Sequence, residues 1–221
     1  NQIFEFIINN RGMVYNPTKG VTINKNAPRS KRRALTQEEQ KWIIDTPHRA
    51  QRAAMFMMFA GARRGELIVL EREDCHLKDG VISINKAAEV INGKFVVKHY
   101  TKTEAGMRNV YIPRILVDFL REDFAREDAA QTGKVSQIHH RLVVPGRNGQ
   151  IMTEQAWRVM WDSYITDLNF KYGNRLDKTG KLANSKHNKN GIEITIPPIT
   201  SYWLRHTFAS LLYLSGVDLL S

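Results

Sequence analysis

Ten consecutive residues, Ala53–Ala62, carry no polar side chain. The run is well short of the ~20 residues a membrane helix needs, so it has to lie inside a protein core. It reads as a buried helix over about Ala50–Ala60, broken by Gly61, around which the rest of the domain is built. With 42% hydrophobic residues among 221, the chain can supply that core, and disorder is excluded as a description of the whole. Asn1–Asn10 contains Glu5 and no basic residue, unlike a signal peptide. A single cysteine, Cys75, excludes an internal disulfide and any cysteine-based zinc site, and fits a reducing cytoplasm. The expectation is a soluble, cytoplasmic, basic protein with no membrane association.

Local signals place the other elements. Ile3, Phe4, Ile7 and Ile8 lie at helical spacing in residues 1–9, and Asn10, Gly12 and Asn16-Pro17 stop that helix. Thr36 and Glu39 form a capping box ahead of Trp42, Ile43 and Ile44, and Pro47 ends the helix. A short helix runs from Arg64 or Gly65 through Leu70. Val81–Ile84, Lys94–Thr101 and Asn109–Ile112 read as strands, with hairpin turns at Asn92-Gly93 and Ala105-Gly106. Helical spacing returns at Ile115, Leu116, Phe119 and Leu120. Thr153 caps a helix bearing Trp157, Met160, Trp161, Tyr164 and Leu168. Ile192–Ile196 reads as a short strand. Thr200 caps a last helix with Leu204, Phe208, Leu211 and Leu212 inward, closed by Gly216. The fold class is mainly α with one small antiparallel β-sheet.

Charge is unevenly placed. The formal net charge is +11, from 33 Lys and Arg against 22 Asp and Glu. Residues 11–34 hold seven basic residues and no acid, and residues 171–191 hold six against Asp177 alone. Outside these two stretches, which read as loops, the charges balance apart from Glu5. Basic loops on a neutral body suit a polyanion such as nucleic acid, and equally suit plain solubility.

Three short constellations stand out. Gly61-Ala62-Arg63-Arg64-Gly65-Glu66-Leu67 puts arginines at a glycine break, where a carboxylate can hold a guanidinium that presents its fork to a phosphate. An ordinary helix–helix turn is the plainer reading of that heptapeptide alone. Thr101-Lys102-Thr103-Glu104-Ala105-Gly106-Met107-Arg108 lies between two strands and ends in Val110-Tyr111-Ile112-Pro113; a lysine at such a hairpin tip is usually solubilising but can also protonate a leaving oxygen. Tyr202-Trp203-Leu204-Arg205-His206-Thr207 sets Tyr202 and Arg205 three apart on one helix face, as donors on a helix otherwise turned to the core.

In this order and spacing the three resemble the catalytic core of the tyrosine recombinases, the phage-integrase family. The basic run into "RRALTQEE" is most similar to integrases of phages and conjugative transposons. The resemblance implies a mostly α tyrosine-recombinase core over residues 35–221, lacking its C-terminal helices. Residues 1–15 would be the end of an upstream core-binding domain and 16–34 a basic interdomain linker. It implies that Arg63 and Arg205 clamp the scissile phosphate, that Lys102 is the general acid, and that Glu66 supports the site from behind. His206 matches a position that is usually structural. Lys31, Arg32 and Arg33 in the linker are expected to contact the DNA backbone.

Two departures qualify this. The residue three before the second arginine is usually His, and here is Tyr202, a phenol that can donate a hydrogen bond but is a poor base at neutral pH. The family's nucleophilic tyrosine lies on helices beyond Gly216, so no nucleophile is expected within residues 1–221. Tyr213, in the run Leu211–Leu214, reads as core. The implied activity is site-specific recombination of double-stranded DNA through a 3′-phosphotyrosine link, by a tetramer of protomers on paired sites, without cofactor or metal. The alternative is a DNA-binding protein that keeps the fold without chemistry. A metal-dependent nuclease is disfavoured, because the sequence shows no His, Asp and Glu cluster.

Overall fold

The structure, a computed structural model, describes residues 2–10, 12, 14–20, 33–91, 94–98, 107–131, 141–146 and 149–216. These fall into two units, Asn1–Lys31 and Arg32–Ser221. In the first, helix α1 (Gln2–Asn9) is closed by the Gly12 N–H on the Ile7 carbonyl, after which Asn16 Oδ1 accepts from the Thr18 N–H. Ile3 and Phe6 are exposed, while Phe4, Ile7 and Ile8 are half-buried.

The second unit is organised around the apolar run. Helix α2 (Gln37–Ile44) begins at the expected capping box: the Thr36 N–H donates to Glu39 Oε2 at 2.8 Å, and the Glu39 N–H to Thr36 Oγ1 at 3.2 Å. Helix α3 (Gln51–Ala60) buries every residue except the half-buried Arg52 and Phe59. It stops at Gly61, whose φ of +60° lies in the left-handed region. A one-turn helix, α4 (Arg64–Leu67), follows at once. Helix α5 (Arg114–Gln131) turns Leu116 and Leu120 inward, and α6 (Glu154–Tyr172) buries Trp157, Met160, Tyr164 and Leu168. Helix α7 (Ser201–Leu214) is capped by Thr200 and ends with Gly216 at φ +81°, as expected. Helices α2, α5 and α7 pack on α3, and the Tyr164 hydroxyl ties α6 to α2 by donating to the Ile43 carbonyl at 3.1 Å.

The strands depart from expectation. Strands β1 (Cys75–His76), β2 (Val81–Ile84) and β5 (Arg108–Tyr111) form one antiparallel sheet in the order β1-β2-β5. Strand β4 (Lys94–Lys98) pairs instead with β3 (Ala87–Ile91), which the sequence pattern did not mark, so two small sheets replace the expected one. Ile91 pairs with Lys94, so two residues join these strands; Asn92 and Gly93, like the Ala105-Gly106 turn, lie outside the described residues. Ile192–Ile196 is no strand: it contributes a single bridge, Asp177 to Ile192, within a compact hydrogen-bonded loop. Most of its other polar links run to Asn169 of α6, with one more from the Asn174 N–H to Thr195 Oγ1, and these take the place of a strand partner. Among the described residues, no helix is long and apolar enough to cross a membrane.

Candidate functional site

The site starts from Gly61. A β-carbon there would fall 2.4 Å from the Phe208 ring, so only glycine lets the end of α3 and the middle of α7 meet this closely. A second close approach fixes α4, because a β-carbon on Gly65 would lie 2.5 Å from the Ala88 carbonyl oxygen of β3. Arg63 leaves the break in extended conformation as the N-cap of α4, beside the α7 turn that carries Arg205.

Glu66 organises these elements. Its side chain is buried, at 3% exposure, yet accepts four hydrogen bonds. The Arg63 N–H donates to Oε2 at 2.7 Å and Arg63 Nη1 to Oε1 at 2.9 Å. Arg108, the first residue of β5, approaches from the other side with Nη1 on Oε1 and Nη2 on Oε2, both at 3.0 Å. Burial pushes this carboxyl up, but the Arg108 hydrogen bonds, the Arg63 N–H and the charge of Arg108 outweigh it and hold Glu66 below the usual carboxylate range. Glu66 therefore stays ionised and fixes two guanidiniums.

Arg205 completes the cluster. Its Nε is buried and has no hydrogen-bond partner among the described residues. Burial first, then the charges of Arg63 and Arg108, lower its affinity for a proton, with Glu66 opposing. A guanidinium remains charged through such a shift. Tyr202, three residues before Arg205 and on the same face of the helix, is 48% exposed and meets the His206 ring edge-on at 4.7 Å between centroids. Two guanidiniums thus bind one carboxylate, and a third, Arg205, lies near enough to feel all three charges, an excess of positive charge that suits an oxyanion.

The structure brings Arg63, Glu66, Tyr202 and Arg205 together. Lys102 lies outside the described residues, as do Lys31 and Arg32. Arg33 is engaged: Nη1 and Nη2 both bond Glu39, at 2.6 and 2.5 Å, and its guanidinium stacks 4.7 Å over Trp203. Sequence reasoning missed Arg108 as a site residue. Its signal was its place six residues past Lys102 in sequence, on the first residue of β5.

Two further expectations meet the geometry. Tyr213 and Leu214 are 73% and 79% exposed, not core, because no described element packs on the last turn of α7. Cys75 is the packed thiol expected: burial, then Asp74, push its pKa up to about 12, so it is unreactive at neutral pH, beside the exposed His76. Among the described residues, no group of three His, Cys, Asp or Glu could hold a metal ion.

No family model matches the sequence. It is similar to the protein IntQ of Escherichia coli (strain K12), named as a defective protein, at 31% identity over 95% of this chain and 50% of the relative. The chain thus spans about half the length of the curated relative it matches. Among solved structures, it is similar to the Tn1549 transposon integrase in complex with transposon right end DNA, with a TM-score of 0.64 at 17% identity, over 98% of this chain and 65% of that one. The XerH site-specific recombinase bound to its palindromic difH substrate follows at 0.52 and 18%, over 99% and 55%. The XerA recombinase follows at 0.51 and 16%, over 89% and 54%. The backbone path agrees with the order of the motifs, and this chain carries the tyrosine-recombinase catalytic-core fold.

Proposed function

We propose that this chain is the catalytic portion of a tyrosine-type recombinase that cuts and rejoins double-stranded DNA at specific sites. The observation that carries the reading is the buried, unpartnered Nε of Arg205 beside Arg63 and Arg108, with Glu66 as the one carboxylate among them. Three positive charges against one negative leave an excess that suits the charge developing on a phosphorane-like transition state, and the donors are fixed before the reaction begins. In this reading Arg63 and Arg205 clamp the phosphate, Glu66, itself gripped by Arg108, holds Arg63, and Tyr202 donates a hydrogen bond without acting as base. Lys102 protonates the departing 5′ oxygen. The enzyme–DNA bond conserves the energy of the phosphodiester, so no ATP or metal is required.

The nucleophile is assigned to a tyrosine outside residues 1–221. Tyr213 is exposed but lies eight residues past Arg205, about 12 Å along the helix, whereas a nucleophile must come within about 3–3.5 Å of phosphorus. Full activity is assigned to a tetramer on paired DNA sites. Residues 1–15 are read as the end of a core-binding domain and 16–34 as a basic linker, with Lys31 and Arg32 on the DNA backbone. Arg33 joins them only through the edge that Glu39 and Trp203 leave open. A second reading, DNA binding without chemistry, draws support from the relative named as defective.

The test is cleavage of nicked suicide substrates by a full-length parent, followed on denaturing gels. Arg63→Ala and Arg205→Ala are each expected to lower the rate ~10²–10³-fold while DNA binding changes little. A variant cleaving at more than a tenth of the normal rate rules out the assigned roles. A parent that binds but never cleaves favours the second reading. The fragment itself should form no adduct, and an adduct lost in Tyr213→Phe would overturn the placement of the site.

A further inference from the structure

We infer that the basic loop after α6 is a second contact surface for the phosphate backbone of duplex DNA, built as a folded knot and remote from the arginine cluster. Residues 171–191 read in the sequence as a loop suited equally to nucleic acid and to plain solubility, and the structure holds them in place. The Asp177 N–H donates to the Lys181 carbonyl and the Ala183 N–H to the Arg175 carbonyl, closing a miniature hairpin. The Glu193 N–H donates to the Leu176 carbonyl and lays the returning chain alongside it. Asp177, the one acid of the segment, is turned inward: its Oδ1 accepts from the Thr179 and Lys181 N–H groups and the Thr179 hydroxyl, at 2.6–3.0 Å. Asn169, fully buried on α6, fastens the far side by accepting from the Thr195 and Ile196 N–H groups and donating to the Glu193 carbonyl.

The consequence is an asymmetric surface. The buried carboxylate is spent on backbone and hydroxyl donors, while Arg175, Lys178, Lys181 and Lys189 are exposed and form no ion pair among the described residues. Lys186, by contrast, is bridged to Asp167. Glu193, just past the knot, is the one exposed acid close in sequence on that side. A loop meant only to keep the protein soluble needs no buried network to fix its cations. A folded platform of unpaired cations is suited to a repeating line of phosphates, which it can meet without ordering a flexible chain on binding.

Its position separates it from the proposed catalytic site. At the start of α6, Glu154 bonds Arg64, the neighbour of Arg63, while the knot leaves from the other end of the helix at Gly173. The helix itself is about 27 Å long, at 1.5 Å per residue, and the loop folds back along it only as far as Asp167 and Asn169. The knot would thus meet phosphates other than the one being cut, on the same duplex or another. This inference rests on duplex DNA as the partner of the arginine site.

The experiment compares the salt dependence of binding to a duplex several helical turns long and of unrelated sequence. The proteins are the intact chain, Lys178→Ala/Lys181→Ala/Lys189→Ala, and Arg63→Ala/Arg205→Ala, with thermal unfolding to confirm that each is folded. Each lost phosphate contact should lower the slope of log K against log salt by about 0.9, so the triple variant should lose about 2–3. A triple variant whose slope matches the intact chain overturns the inference and leaves the arginine site standing; a knot that binds an acidic protein instead would give this result. A loss in the triple variant beside a nearly unchanged slope in the double variant is the expected pattern, because the two arginines meet one phosphate among many. The arginine site stands or falls separately, on the cleavage assay above.

Discussion

Removing Glu66 tests the physical basis of the site more directly than removing any of the arginines. Glu66→Ala deletes the acceptor of four hydrogen bonds and leaves two guanidiniums facing each other without their counter-charge. Breaking a buried ion pair by deleting one partner costs about 3–5 kcal/mol. Here the Arg63 and Arg108 side chains are 58% and 29% exposed and can turn to water, so the lower end, about 3 kcal/mol, is expected. For a folded unit the size of Arg32–Ser221 that corresponds to a fall in Tm of about 6–12 °C. Glu66→Gln keeps the volume and isolates the charge. Because the folded pKa of Glu66 is lowered, its contribution is complete above the unfolded value near 4.3 and fades as pH falls through the folded value. Urea unfolding followed by far-UV circular dichroism should show the gap between wild type and Glu66→Gln in full at neutral pH and closing as pH falls below the ordinary carboxylate range. A gap under about 1 kcal/mol at neutral pH, or one indifferent to acid, would refute the view that an ionised carboxylate holds the cluster.

Other outcomes follow from the same geometry. Gly61→Ala should cost about 1–3 kcal/mol in backbone strain alone, with more from displacing Phe208; an unchanged melting temperature would mean the α3–α7 junction yields easily. Asp177 is held down at about 2, first by the Thr179 hydroxyl, so its support for the knot is present above the ordinary carboxylate range and lost only as pH falls through that value. Asp177→Ala should therefore open the knot at neutral pH and speed tryptic cutting at Lys178 and Lys181, and equal cutting rates would show that Asp177 does not close it. Lys102→Ala in a full-length parent should cleave poorly at a 5′ oxygen but recover when that oxygen is replaced by sulfur, which leaves without a proton; equal defects on both would remove the general-acid role.

What could be read from the sequence was what local chemistry decides. The Thr36, Thr153 and Thr200 caps each accept an N–H from within three residues, so neighbouring letters suffice to find them. Gly61 declared the break before Arg63 because no other residue takes a left-handed turn there so cheaply. Strand pairing was harder. Ala87-Ala88-Glu89-Val90-Ile91 lacks clear alternation, and β2 finds its partner β5 across the whole β3–β4 excursion. The knot was invisible because polar atoms, not an apolar stripe, hold it. Tyr213 and Leu214 misled for the opposite reason: apolar letters predict burial only when something covers them. Arg108 escaped notice since its partner Glu66 lies 42 residues back and on another element.

The chain comes into the larger unit through a fastening made on α7. The Leu35 N–H donates to the buried Thr207 Oγ1 at 2.8 Å, and Arg33 lies over Trp203, four and two residues respectively on the N-terminal side of Thr207 and Arg205. Mechanically, α7 is thus moored at the same short stretch that holds Arg205. A pull on the polypeptide ahead of Arg33 is shared between that stretch, through Trp203 and Thr207, and α2, through the Arg33–Glu39 pair, before it spreads to α3. Part of the tension in the incoming strand is therefore carried by the same stretch that aims the Arg205 guanidinium.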